Sequence, residues 1–112
     1  MKGYHKVSSI EITPQDFLEQ YDPKNHIVLD VRQDWEIKIA CYDKAQILNA
    51  HNFDSWIQAS QDYSRIFILC HHGVRSLHAA KMFQDHKVTH VQSIQGGIDA
   101  LGDLLEPPLA KY

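Results

Sequence analysis

The sequence predicts an α/β domain built on a mostly parallel sheet with helices on both faces. Three observations carry that expectation. Two runs, His26–Val31 and Arg65–Leu69, are apolar almost throughout and of strand length, the pattern of strands buried on both sides. Segments with helical spacing of apolar residues alternate with such runs, which favours parallel crossovers over hairpins. Pro, Gly and Asp punctuate the alternation at Asp22-Pro23, Gly96-Gly97 and Pro107-Pro108. With 112 residues and no repeat, low-complexity tract or Gly/Ser linker, residues 1–112 read as a single domain.

In chain order, His5 to Ile12 mixes Val7, Ile10 and Ile12 with polar residues and reads as an opening strand and its approach. Thr13-Pro14-Gln15-Asp16 is a helix start, with Thr13 as cap, Pro14 at the first helical position and Asp16 near the positive end of the dipole. That helix carries Phe17, Leu18 and Tyr21 and stops by Asp22-Pro23, because the residue before proline resists helical geometry. After the strand at 26–31, Gln33 to Ala40 reads as a short helix with Trp35 and Ile39 on one side and Trp35 in the core or pocket wall. Ala45 to Leu48 reads as a short strand, and Asp54 caps a helix through Ser60 that buries Trp56 or Ile57. A helix from Ser76 to about Asp85, with Leu77, Ala80 and Phe83 on its apolar side, follows the strand at 65–69. Val88 to Ile94 is a final short strand interrupted by His90, and Ile98 to Leu105 is the closing helix, ended by Pro107-Pro108.

The chemistry concentrates between the central strand and the helix that follows it. Cys70-His71-His72-Gly73-Val74-Arg75 joins the carboxyl end of a buried strand to a helix amino terminus, so its backbone N–H groups surround a small concavity suited to an anion. A cysteine opening such a loop is expected to be a nucleophile, because the nest favours the thiolate. Gly73 permits a positive φ and a close approach of backbone to whatever sits above the sulfur. Arg75 adds a permanent cation with a planar fork of donors, and Ser76 is a candidate cap whose hydroxyl also reaches the nest. His71, His72 and Val74 complete the expected substrate-binding rim, while His78, His86 and His90 are expected on solvated faces. The alternative is a packing cysteine at a strand end with an incidental basic neighbour.

Asp30 and Arg32 fall at the carboxyl end of their strand, the edge that carries ligands in open α/β sheets. They are expected mainly as support for the site, with Asp30 accepting from backbone amides and Arg32 pairing with a carboxylate such as Glu36. Cys41 reads as small core filler or as a second, resolving thiol.

A net charge of -3 leaves no basic footprint for nucleic acid. No apolar run approaches the length of a membrane span, and the first residues, MKGYHKVSSIEI, lack a signal-peptide core, so a cytoplasmic location is expected. Two cysteines are too few for a disulfide framework, and the eight histidines are scattered without a Cys/His ligand framework. No metal and no cofactor are therefore expected, and oligomeric state has no signal in the chain.

Three segments resemble the single-domain rhodanese sulfurtransferases. Leu29-Asp30-Val31-Arg32 with Trp35-Glu36 resembles that family's first motif, Cys70 to Ser76 its active loop, and Gln95-Gly96-Gly97-Ile98-Asp99-Ala100-Leu101 its closing turn and helix. The resemblance implies a parallel sheet of about five strands flanked by helices. It also implies that Cys70 takes a sulfane sulfur from thiosulfate, a persulfide or a polysulfide, holds it as a persulfide, and passes it to cyanide or a thiol. Its expected partners are thus a small sulfur-containing anion or a protein or low-molecular-weight persulfide. Departures fall at Cys41-Tyr42, Lys44-Ala45 and Asn49, where the family usually has a His-Ile pair, a Gly and Ala, and a proline, so the pocket rim is expected to differ.

Competing readings are a non-catalytic binding module on the same fold, a thiol-redox pair of Cys41 with Cys70, and a cysteine phosphatase. The phosphatase loop places five residues between cysteine and arginine, whereas four, His71 to Val74, stand here. The shorter ring of amides suits a sulfur atom better than a phosphoryl group.

Overall fold

Side chains alternate across a pleated strand, and when both faces are covered each face needs its own apolar set. That division organises the computed structural model, which describes residues 9–112. Its elements are β1 (Glu11–Ile12), α1 (Pro14–Gln20), β2 (His26–Asp30), α2 (Asp34–Ile39), β3 (Gln46–Ile47), α3 (Phe53–Ala59), β4 (Arg65–Leu69), α4 (Val74–Asp85), β5 (Val91–Ile94) and α5 (Gly97–Asp103). The five strands pair in parallel in the order β1-β5-β4-β2-β3. On one face Val28, Phe67, Leu69 and Ile94 meet Phe17 of α1 and Ile98 and Leu101 of α5. On the other, Leu29, Ile66, Ile68 and Val91 meet Ala80 and Phe83 of α4, with Phe53, Trp56 and Ile57 of α3 packed alongside.

The expected α/β class, the parallel sheet of five strands and the flanking helices are all present. Within α1, Thr13 Oγ1 accepts from the Asp16 amide at 3.1 Å, Phe17 is fully buried and the helix stops before Tyr21, as its sequence dictates. The register pairs Asp30 with Leu69, so the ends of β2 and β4 lie side by side. Cys70 follows Leu69 directly, which sets it beside the Asp30-Val31-Arg32 segment at the carboxyl edge.

Several expectations need correction. Ser76 does not cap α4: Gly73 does, at φ 97°, and Ser76 lies in the first turn with its hydroxyl wholly buried. A left-handed residue ends the loop there, so the helix starts earlier than its apolar spacing suggests. Asn52, not Asp54, stands at the cap of α3, and Leu18 is exposed. Trp35 is 59% exposed rather than core, because α2 has only six residues and spends its inward side on Glu36. Cys41 is exposed, so it is not core filler. His90 is buried, its Nε2 2.9 Å from the Ser60 carbonyl oxygen, and is not on a solvated face. Residues 5–8 of the expected opening strand lie outside the described residues.

Candidate active site

A thiol at the end of a buried strand can face only what the next few residues fold over it. Cys70 is 1% exposed, and its Sγ accepts a hydrogen bond from the Gly73 amide at 3.0 Å. The thiol donates to Ser76 Oγ at 3.2 Å, and Ser76 Oγ lies 2.6 Å from Ser93 Oγ on β5. Gly73 makes this possible: its left-handed φ reverses the chain toward the sulfur, and an added Cβ would stand 3.0 Å from the Gly96 amide nitrogen.

The underside of the loop is fixed by the start of α5. Ile98 N donates to the Cys70 carbonyl at 2.8 Å, and Asp99 N to the His71 carbonyl at 3.1 Å. Gly97 allows that approach, because a Cβ there would fall 2.3 Å from the His71 carbonyl oxygen and 2.4 Å from that of Cys70. The glycines of the closing turn therefore hold the loop from beneath as well as turning the chain.

Around the rim, Arg75 is forked onto Glu36 of α2, with Nη1–Oε2 2.7 Å and Nη2–Oε1 2.8 Å. Glu36 also accepts from the Gln33 amide at 2.9 Å and the Tyr112 hydroxyl at 3.0 Å. The Arg75 guanidinium, opposed by partial burial, holds the Glu36 carboxyl down at about 2, and Glu36 in turn raises Arg75. Arg32 does not pair with the Glu36 carboxylate. Its guanidinium grips Asp30, with Nη2–Oδ2 2.8 Å, and donates to the Ala40 carbonyl at 2.8 Å and the Tyr112 hydroxyl at 3.1 Å. Asp30 accepts from the Arg32 amide at 3.0 Å, the backbone role expected of it. Both are buried behind the rim.

The two loop histidines stack on one another at 3.8 Å, and His71 stacks on the Tyr112 ring, also at 3.8 Å. His71 Nε2 is buried without a hydrogen-bond partner among the described residues. Donor atoms of His71, His72 and Asp99 lie within 4.8 Å of one another, a grouping that His71 and His72 alone did not suggest. Two near-parallel rings aim their in-plane lone pairs side by side rather than at one point, and Asp99 Oδ1 is held by Lys111 at 3.2 Å.

The structure thus brings together Cys70, His71, His72, Gly73, Val74, Arg75 and Ser76, with Asp30 and Arg32 behind them. Sequence reasoning did not find Tyr112 and Ser93, which lie 42 and 23 positions from Cys70 and belong to no local pattern. Glu36 was visible in the first motif, but its partner was not.

A five-stranded parallel sheet with a cysteine loop at its carboxyl edge defines an α/β domain with its candidate site at the strand ends. The chain belongs to the Rhodanese-like domain family, which it matches over residues 13–103. It is 28% identical over 93 residues to the tRNA uridine(34) hydroxylase of Rickettsia akari (strain Hartford), covering 78% of this chain and 38% of that protein. The chain therefore spans well under half of that relative's length. Among solved structures, a rhodanese-related protein from Thermoplasma volcanium superposes with a TM-score of 0.67 at 22% identity, covering 86% of this chain and 93% of that one. A protein of unknown function from Rhodopseudomonas palustris, described as a possible tyrosine phosphatase, reaches a TM-score of 0.72 at 24% identity, covering 84% and 80%. Both likenesses concern the fold. No helix among the described residues is long and apolar enough to cross a membrane.

Proposed function

We propose that this domain is a sulfurtransferase in which Cys70 carries a sulfane sulfur. The observation that supports it best is the placement of Cys70 Sγ against the Gly73 amide at 3.0 Å and the Ser76 hydroxyl at 3.2 Å, in a loop with room for only four residues before Arg75. The Gly73 amide donates to the sulfur, and the Ser76 hydroxyl beside it can turn its hydrogen toward a thiolate; together they suit an anion there, and membership of the rhodanese-like family agrees with that chemistry.

In the proposed reaction the Cys70 thiolate attacks the outer sulfur of thiosulfate, the S–S bond of the donor breaks, and sulfite leaves with its electron pair. Cyanide or a thiolate then attacks the terminal sulfur of the persulfide and restores the Cys70 thiolate. His71, His72, Val74 and Arg75 form the rim that the donor crosses, and Gly73 and Ser76 hold the sulfur from within. Exposure to thiosulfate should add one sulfur atom to the intact mass, and Cys70→Ser should abolish the addition. A wild-type chain that stays unmodified and turns over no sulfane donor would overturn the reading.

The likeness to a tRNA uridine hydroxylase favours a second reading, in which the same cysteine serves modification of a tRNA. Cys70-dependent change in tRNA nucleoside composition, with no transfer from thiosulfate or a low-molecular-weight persulfide, would select it. Phosphatase chemistry is not proposed. Aryl phosphate hydrolysis should not exceed that of Cys70→Ser.

A further inference from the structure

We propose that Ser93, on β5, is a positioning residue for Cys70: its hydroxyl orients the Ser76 hydroxyl so that Ser76 donates to the sulfur. The inference rests on the reading of Cys70 as the nucleophile and deepens it. Ser93 and Ser76 are both fully buried. Cys70 Sγ, Ser76 Oγ and Ser93 Oγ form a row with links of 3.2 and 2.6 Å. Neither hydroxyl has a further partner among the described residues.

Counting hydrogens decides which charge state suits this row. With Cys70 as a thiol, three hydrogens serve two links, so one must point into surroundings that offer it no acceptor. With Cys70 as a thiolate, two hydrogens serve two links: Ser93 donates to Ser76, Ser76 donates to the sulfur, and the Gly73 amide donates from the other side. The row is complete only when the sulfur is anionic. Buried unpaired hydroxyls are unfavourable, so the row favours the thiolate and, by the same geometry, the sulfur atom that stays bonded to Cβ in a persulfide.

Ser93 has a distinct part in this. Ser76 alone could turn its hydrogen toward the sulfur, but a donor behind it polarises the O–H and removes the alternative orientation. Ser93 can supply that donor because β5 pairs with β4, which sets Ser93 opposite Ile68, two residues before Cys70. The charged and titratable groups around the sulfur come from other elements: Arg75 on α4 with Glu36 of α2 upon it, His71 and His72 in the loop, Asp99 on α5, and the Asp30–Arg32 pair after β2. Substitution at Ser93 leaves all of them in place.

The test is the rate of Cys70 alkylation by iodoacetamide against pH, in a Cys41→Ser background because Cys41 is exposed and would also react. Ser93→Ala should slow the reaction at neutral pH by about threefold and move its midpoint to higher pH. Ser93→Val should behave like Ser93→Ala, whereas Ser93→Thr, which has the same shape as Val but keeps a hydroxyl, should stay close to the parent. Ser76→Ala, which removes the donor itself, should exceed both. If Ala and Val leave rate and midpoint unchanged, or if Thr is as slow as Val, Ser93 fills space and the inference fails. Because alkylation reads the sulfur without any sulfane donor, a Ser93-dependent midpoint in a protein that transfers no sulfur would remove the sulfurtransferase reading and leave this one standing.

Discussion

Arg32 and Arg75 each meet a carboxylate at hydrogen-bond distance, yet the two ion pairs do opposite work. Arg32 has no exposed side-chain surface, and its partner Asp30 is only two residues away at the same strand end. Every nitrogen of its guanidinium is spent, on Asp30, on the carbonyls of Glu36 and Ala40, and on Tyr112. Arg75 keeps 45% of its side chain exposed and reaches across to a different helix. Its fork leaves Nε and part of each terminal nitrogen unspent on Glu36. A closed pair fixes the chain, whereas a half-open pair sets a cation at a mouth and can still meet an anion. The difference lies in how many donors remain.

The largest expected effect breaks the closed pair. Arg32→Ala leaves Asp30 buried without its cation, a loss of about 3–5 kcal/mol that urea denaturation would read. A loss below about 1 kcal/mol would mean that water readily replaces the guanidinium and that the pair is not scaffold.

Breaking the open pair should cost activity as well as stability. Arg75→Ala is expected to lower kcat/KM for thiosulfate about thirtyfold, or ~2 kcal/mol, and also to lower the urea midpoint, because Glu36, as buried as Asp30, loses its cation and keeps only the Gln33 amide and the Tyr112 hydroxyl. Arg75→Lys should recover only part, since an ammonium cannot both hold the Glu36 fork and face a donor. Unchanged kinetics in Arg75→Ala would assign the anion to the backbone amides alone.

The smallest effect concerns acid. Glu36 is held at about 2 against an ordinary 4.5, chiefly by Arg75. A carboxylate depressed in the folded state stabilises it fully above its unfolded value and loses that contribution as pH falls through the folded one. The difference in melting temperature between the parent and Glu36→Gln should therefore be constant above pH 4.5 and shrink on the way down to about 2. A difference that has already vanished at pH 4 would show that Arg75 holds Glu36 only loosely.

What the sequence made legible was local. Strands β2 and β4 were evident as unbroken apolar runs, α1 as a capped proline start, and the loop from Cys70 to Arg75 as a cysteine, a glycine and an arginine between two such elements. Ser76 has the residue type of a cap, while the true boundary depends on the backbone of Gly73. An indole and a small thiol suit a core by residue type, but α2 is too short to bury both Glu36 and Trp35, and the exposure of Cys41 leaves only the second-thiol alternative for it. His90 has no local sign of burial, because its buried bond to Ser60 joins residues 30 positions apart. Tyr112 and Ser93 had no local signature at all, since their partners are set by the sheet order and by the return of the chain past α5.

The contact between Gly97 and the carbonyls of Cys70 and His71 bears on transplantation. Because Ile98 N and Asp99 N consume those two carbonyls, the peptide planes that open the loop are oriented by a segment more than twenty residues downstream. The seven residues from Cys70 to Ser76, grafted onto the strand-to-helix turn of an unrelated α/β scaffold, would carry the side chains without the floor that orients them. The portable unit is two pieces, 70–76 and 96–99, and a graft should gain thiosulfate-dependent persulfide formation only when both are moved together.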